Sequence, residues 1–307
     1  MATVTLAEAS KLGLNDLQAG VVENIVTVNA MYQVLPFETI LGNALAYNRE
    51  NALGDVQALG VGGTITAKAA ATYTAKTAGL TTLIGDAEVN GLIIAQGIGG
   101  NAGNDVVAQQ IASKSKSVGR KYQDMLINGD SATPGEFDGL EKLVAASQRV
   151  AGGGLALDFA MLDDLLAAVT AKNGQVDFIT APAKGINRLK SLMRGLGGAQ
   201  IETVQMGLGA DGRPVYVLMY EGVPIFRNDY IGIDGLTGIS SVYAGTFTDG
   251  SNNGIAGLTA ANGAGVHVEQ VGPAENKDEH IWRVKFYAGL VSYSDLGLAK
   301  VDNVKFA

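Results

Sequence analysis

Over the first thirty positions apolar residues recur at spacings of three and four, at Leu14, Leu17, Val21, Val22, Ile25 and Val28, the repeat of one helical face. Thr5 stands three residues ahead of Glu8 with the spacing of a helix cap. The Leu35-Pro36 step stops the helical pattern, because proline disfavours helix at the residue before it. From Phe37 to about Glu88 the period of 3.6 is absent, and the chain runs through Thr, Gly and Ala. This stretch predicts a long β-hairpin. Between Leu53 and Asn90 its only charges are Asp55, Lys68, Lys76, Asp86 and Glu88, and bulky apolar residues are few. A hairpin so sparsely supplied cannot bury enough surface to hold its shape alone, so a partner chain is expected to complete it.

The helical period returns over Gly103–Asn128, the longest such stretch, with Val107, Ile111, Val118, Tyr122, Met125 and Leu126 on one stripe. Lys114, Lys116, Arg120 and Lys121 fall largely off that stripe and give the helix a basic face. Asn128-Gly129-Asp130 ends it. Asp158 then introduces the apolar helix FAMLDDLLAAVTAK, Val176–Thr180 reads as a strand, and Pro182 opens a helix to Leu196. Together these make an α/β unit. Beyond Gly198 the pattern alternates with period two in QIETVQM, PVYVLMY, VPIFRND, SSVYAGTF, VHVEQV, HIWRVKFYAGLVSYS and GLAKVDNVKF, punctuated by turns such as Asp211-Gly212 and Glu221-Gly222. The fold class is α+β.

Composition narrows the function. The 307 residues include no cysteine, which excludes disulfides, thiolate metal sites and a cysteine nucleophile. No stretch reaches 18 consecutive apolar residues, so no membrane helix is expected. Nor does the N-terminus have the charged-then-apolar order of a secretory signal. With 22 basic against 30 acidic residues and a formal charge of −8, any contact with nucleic acid must be local and weak. Charged residues are 17% of the chain, against about 25% in ordinary domains, as expected of a surface covered by other chains. The 42 glycines are about twice the usual share.

The chemical motifs favour bland readings. Gly97-Ile98-Gly99-Gly100-Asn101-Ala102 fits a dinucleotide-binding loop, but the acidic residue such a loop requires about twenty positions on, at the end of a second strand, falls on Asp124 within the same helix. A glycine bend into a helix is therefore expected, and no cofactor. His267 and His280 have no metal-ligand spacing and read as structural. The Asp249–Gly254 run lacks the oxygen spacing of a calcium loop. Asp163 and Asp164 suit the positive end of a helix dipole. A basic face such as Lys114, Lys116, Arg120 and Lys121 is by default simply solvated.

The order of features carries more than any single motif. The segments VLPFETILGNALAYNREN, NAGNDVVAQQIASKSKSVGRKYQDMLINGD, FDGLEKLV, FITAPAKGINRLKSLM, YEGVPIFRNDYI and GIAGLT resemble, in this order, the major capsid proteins of tailed bacteriophages with the Hong Kong 97-type fold. The resemblance implies an N-terminal arm over 1–35, an extended loop over 36–90, a peripheral domain over 91–182 with its spine helix over 103–128, an axial domain over 183–270, and C-terminal strands over 271–307 that return to the peripheral domain. It implies a non-enzymatic, homo-oligomeric subunit whose pentamers and hexamers close an icosahedral shell around double-stranded DNA. Assembly would take place in the host cytoplasm, with separate scaffolding and portal proteins and no membrane. In such a shell Lys114, Lys116, Arg120 and Lys121 would face the lumen and contact the DNA, and deletion of residues 36–90 would abolish shells while leaving the α/β unit soluble. Some relatives crosslink subunits through Lys and Asn; Lys68 and Lys76 lie in the loop, but no partner is assignable and no crosslink is expected. An encapsulin, which has the same fold around cargo enzymes, and a tail-tube or surface protein remain alternative readings.

Overall fold

The computed structural model describes residues 31, 34–42, 44–95, 105–173, 175–195, 203–208, 214–248, 253–261 and 265–306. Three sheets organise them. The first has five strands: β1 (Phe37–Ile40), β4 (Thr81–Asn90), β11 (Ile255–Ala260), β12 (Val266–Pro273) and β13 (Glu279–Ser292). The long β13 is its axis, pairing antiparallel with β12, with β11 and, over Glu279–Ala288, with β4. Against β4 and β13 lies α2 (Val106–Asn128), preceded by the short α1 (Gly91–Ala95). Asp105 caps α2 by accepting from the Val107 N–H at 2.9 Å. The stripe read from the sequence is the face that packs: Val118, Tyr122, Met125 and Leu126 are buried. Tyr122 sits at the centre, its ring 5.1 Å from Phe286, 5.7 Å from Phe137 and 6.1 Å from Phe37.

The second sheet has seven strands in the order β5 (Arg149–Ala151), β14 (Leu298–Lys305), β10 (Ile239–Gly245), β6 (Phe178–Ala181), β9 (Val223–Arg227), β8 (Pro214–Tyr220) and β7 (Thr203–Leu208). Two helices cover it: α4 (Phe159–Asn173) against β14 and β10, and α5 (Ala183–Gly195) against β9. Leu162, Leu165, Val169, Ile179, Leu189, Ile225, Val242 and Val301 form its core. The third sheet is a hairpin of β2 (Ala44–Ala52) and β3 (Thr72–Gly79).

Three expectations are corrected by sheet membership. The hairpin does not run from 36 to 90, because β1 and β4 at its two ends belong to the five-stranded sheet and bury Ile40, Leu83, Ala87 and Val89. The α/β unit, placed with the spine helix in a peripheral domain over 91–182, instead builds the seven-stranded sheet. The chain also leaves that sheet before residue 270: β11 and β12 join the five-stranded sheet, and of the strands expected to return beside the spine helix β13 does so while β14 does not. The physical reason is common to all three. Alternating burial looks the same whichever sheet receives the strand, and the pairing partners are far away in sequence.

The C-terminal end of α2 docks through two glycines. Gly129 donates to Met125 O and Gly139 to Gly129 O, each at 2.9 Å. A Cβ on Gly129 would meet Phe137 O at 2.3 Å, and one on Gly139 would meet Met125 O at 2.5 Å. Both positions lie at the turn that leads from α2 into α3 (Leu140–Leu143), where Gly139 is also the residue before the helix. Gly129→Ala or Gly139→Ala is therefore expected to destabilise the subunit by about 3 kcal/mol, read as a lower urea midpoint. An unchanged midpoint would mean that this turn is not tight.

Candidate assembly surfaces

The hairpin projects its outer half without support. Its strands pair from Ala44↔Gly79 to Ala52↔Thr72 with a bulge between Glu50 and Ala52. Beyond them residues 53–71 make no strand. Side chains close this tip: Asp55 Oδ1 accepts from the Ala69 N–H at 2.5 Å, and the Gln57 amide oxygen accepts from the N–H groups of Thr66 and Ala67 at 2.6 and 2.7 Å. The ordered tip carries apolar residues into water, with Val56 94% and Leu53 78% exposed, and Val61 and Ile65 exposed beside them. A cluster of this kind, on an arm with no core of its own, marks a contact surface.

At its base the hairpin rests on the end of β13. Leu45, Tyr47, Ala78 and Leu80 pack against Ile40, Ala256, Leu258, Val291 and Tyr293. Tyr47 donates to Ser292 O at 2.9 Å, and its ring meets Tyr293 edge-on at 5.2 Å. Burial pushes the Tyr47 hydroxyl above its ordinary pKa, against the opposing pull of Arg49. Arg49 donates through Nε to Tyr293 O and through Nη2 to Ser292 O, both at 2.9 Å, and pairs with Asp295. Tyr293 in turn donates to Glu38 Oε2 at 2.5 Å. None of these roles was legible in the sequence.

A second polar node ties α3 to the seven-stranded sheet. Lys300 on β14 is 4% exposed, and its ammonium donates to Glu141 Oε1 and Oε2 at 2.6 and 2.5 Å and pairs with Asp302. Tyr243 donates to Glu141 Oε2 at 2.6 Å. Arg149 Nη1 lies 3.4 Å from Glu141 and 3.5 Å from Asp302. Burial opposes ionisation of Glu141, yet the hydrogen bonds from Lys300 and Tyr243 prevail and hold its pKa below the ordinary 4.5. Burial, then the Glu141 carboxylate, pushes the Tyr243 hydroxyl well up.

The four basic residues of α2 do not form one face. Lys121 reaches Glu136 at 2.8 Å and Asp124 at 3.8 Å, and the Glu136 hydrogen bond raises its pKa. The Lys114 side chain runs beside Gly85, where its charge helps hold Asp86 ionised, after the main effect of the Arg283 hydrogen bonds at 2.8 and 2.9 Å. These two flank the packed stripe. Lys116 and Arg120, one turn apart, lie on the opposite face, Lys116 exposed and Arg120 half-buried.

His267 lies on β12, exposed along most of its length, and His280 is tilted against Trp282 at 6.1 Å. Asp163 accepts from Tyr220 Oη at 2.5 Å. Residues Gly97–Ala102 and Asp249–Asn252, and the arm apart from Met31, Val34 and Leu35, lie outside the described residues. Among the described residues no group of three or more His, Asp or Glu could hold a metal ion, and no helix is long and apolar enough to cross a membrane.

The chain matches the family model of the SU10 major capsid protein over residues 63–215, from the hairpin tip into β8. Among curated proteins none matches. Among solved structures, the SrpI encapsulin of Synechococcus elongatus PCC 7942 superposes with a TM-score of 0.74 at 19% identity, over 100% of this chain and 98% of that one. The capsid of Myoviridae phage XM1 gives a TM-score of 0.65 at 12% identity, over 95% and 97% of the two chains. Mycobacterium phage Bobi gives 0.64 at 13%, over 98% and 99%. A shell fold spanning the whole chain, an unsupported apolar hairpin and a capsid family match at its centre place this protein among the tailed-phage major capsid proteins of the Hong Kong 97-type fold.

Proposed function

We propose that copies of this subunit close as pentamers and hexamers into an icosahedral wall around double-stranded DNA, in the host cytoplasm, with scaffolding and portal proteins supplied separately. Its role in that wall is mechanical rather than catalytic. The hairpin carries this reading: its tip is held in shape by Asp55 and Gln57 while exposing Leu53, Val56, Val61 and Ile65, an arrangement that gains apolar burial only against another copy. Permanent interfaces of this class bury more than about 2,000 Å². The encapsulin reading, favoured by the TM-score of 0.74, differs in content rather than in wall. Nuclease-protected double-stranded DNA in purified particles supports the phage reading; particles holding only protein cargo overturn it.

The lumenal contact narrows to Lys116 and Arg120, which lie one turn apart on the face of α2 away from its packed stripe. Neutralising a non-specific phosphate contact weakens DNA retention. The pair Lys116→Gln and Arg120→Gln is expected to shorten the packaged DNA while leaving shell yield unchanged. Packaged DNA of unaltered length in that variant would remove the contact.

A further inference from the structure

The hairpin joins the body through two short connections that contain glycine. Gly42, at φ +108°, lies between β1 and β2, and Gly79 closes β3, its carbonyl oxygen so near Gly289 that a Cβ there would meet it at 2.6 Å. The Gly42 connection, with no atom within 4 Å of where a Cβ would sit, does not itself fix an angle, while the Gly79 carbonyl holds only the foot of β3 against β13. The hairpin base borders a crevice of about 560 Å³, lined among others by Arg49, Lys76, Glu136, Asp138, Lys142 and Asp295, so close packing does not fix it there either. Beside the crevice lies the small apolar cluster around Tyr293, and Arg49 stands in the crevice wall with its side chain 13% exposed.

Arg49 is placed to do what the glycines do not. Its Nε and Nη2 meet the carbonyls of two successive residues where β13 ends, and its remaining amino group meets the Asp295 carboxylate. This three-point grip needs the planar fork of arginine; a lysine ammonium offers one point charge and cannot span both carbonyls and the carboxylate. The grip lies along β2, well beyond Gly42, and the tip extends up to roughly 40 Å past it at ~3.3 Å per residue. Over that lever a tilt of about 10° moves the tip by about 7 Å, more than a side chain's reach.

We infer that Arg49 is a positioning residue that locks the hairpin at one angle to the five-stranded sheet, and so sets the angle at which neighbouring subunits meet and the curvature of the shell. The inference rests on the shell reading, but the latch itself is a property of the single chain. Full-length Arg49→Ala is compared with wild type by hydrogen exchange over residues 44–52 and 72–79, by melting of the unassembled subunit, and by imaging of particle diameters. Hairpin exchange is expected to rise about tenfold, the melting temperature to stay within about 3 °C, and the particles to spread into mixed diameters and open sheets. Arg49→Lys should behave much closer to alanine than to wild type. Should Arg49→Ala fail to fold, Asp295→Asn removes the ionic part of the grip and Tyr47→Phe the neighbouring hydrogen bond to Ser292 O, and each is expected to give a smaller shift of the same sign. Unchanged exchange overturns the latch; raised exchange with wild-type diameters overturns its control of curvature. Failure of the wild-type chain to form closed particles would sink the shell reading, while the exchange result would still decide the latch.

Discussion

Lys300→Ala is expected to cost the subunit about 1.5–3 kcal/mol, the range for hydrogen bonds to charged groups, since the Glu141 carboxylate left behind is 39% exposed, and this is a sizeable part of the roughly 5–15 kcal/mol that holds a domain folded. The ammonium is what lets Glu141 and Asp302 share one small space, since Arg149 approaches them only at 3.4 and 3.5 Å. Without it two carboxylates face each other where α3 meets the seven-stranded sheet. Urea denaturation of the unassembled subunit measures the loss, and a change under 1 kcal/mol would show that water reaches the node and screens it. Combining Lys300→Met with Glu141→Gln should recover much of the stability, because the charges are removed together while Tyr243 keeps an acceptor. The node also has a pH signature. Glu141 titrates lower in the folded state than in the unfolded chain, so its contribution is complete above the ordinary glutamate range and is lost as pH falls through the folded value. Wild type should therefore shed stability on acidification below about pH 4, and Lys300→Ala should shed less over that interval.

That lysine shows where sequence reasoning stops. In GLAKVDNVKF the alternation correctly puts Ala299 and Val301 on a buried face, and by the same rule assigns Lys300 to solvent. The sheet's other face is closed there by Glu141, 159 residues away, and no local pattern announces it. The spine helix was legible because its stripe is a short-range property: Val118, Tyr122, Met125 and Leu126 are spaced for one face and all four are buried. The poverty of bulky residues in the hairpin was equally plain, and it matches a tip that the chain itself leaves bare. Its boundary was not, because TTLIGDAEVN hides β4 behind threonine, glycine and acidic residues while Leu83, Ala87 and Val89 alternate into the core. Of the basic residues, composition gave the charge but not the placement: Lys121 meets Glu136 and the Lys114 charge acts on Asp86, beside the packed stripe, while Lys116 and Arg120 lie on the opposite face. Arg49 was read only as a strand residue, since the two carbonyls it grips belong to the far end of the chain.

Relocating the hairpin boundary changes the decisive assembly experiment. Deleting 36–90 would remove β1 and the ten-residue β4, which pairs with β13 along its whole length, and would unfold the five-stranded sheet rather than test the arm. Removing 53–71 and joining Ala52 to Thr72 through two glycines leaves every described strand intact, since this segment contains none. The truncated subunit is expected to melt within about 3 °C of wild type and to form no closed shells, seen as slow sedimentation and an absence of spheres by electron microscopy. A milder form replaces Val56 and Val61 by aspartate. Both are fully exposed in the single chain, so the subunit should change by under about 0.5 kcal/mol. At an interface each would forfeit about 1.5–3 kcal/mol of apolar burial and carry a charge into it, and the loss recurs at every contact of every copy. Even this pair is therefore expected to raise the concentration needed for assembly by more than about tenfold. Closed shells of wild-type diameter from the truncated chain would mean that the tip is an ornament of the fold, and that the wall is held by the two large sheets alone.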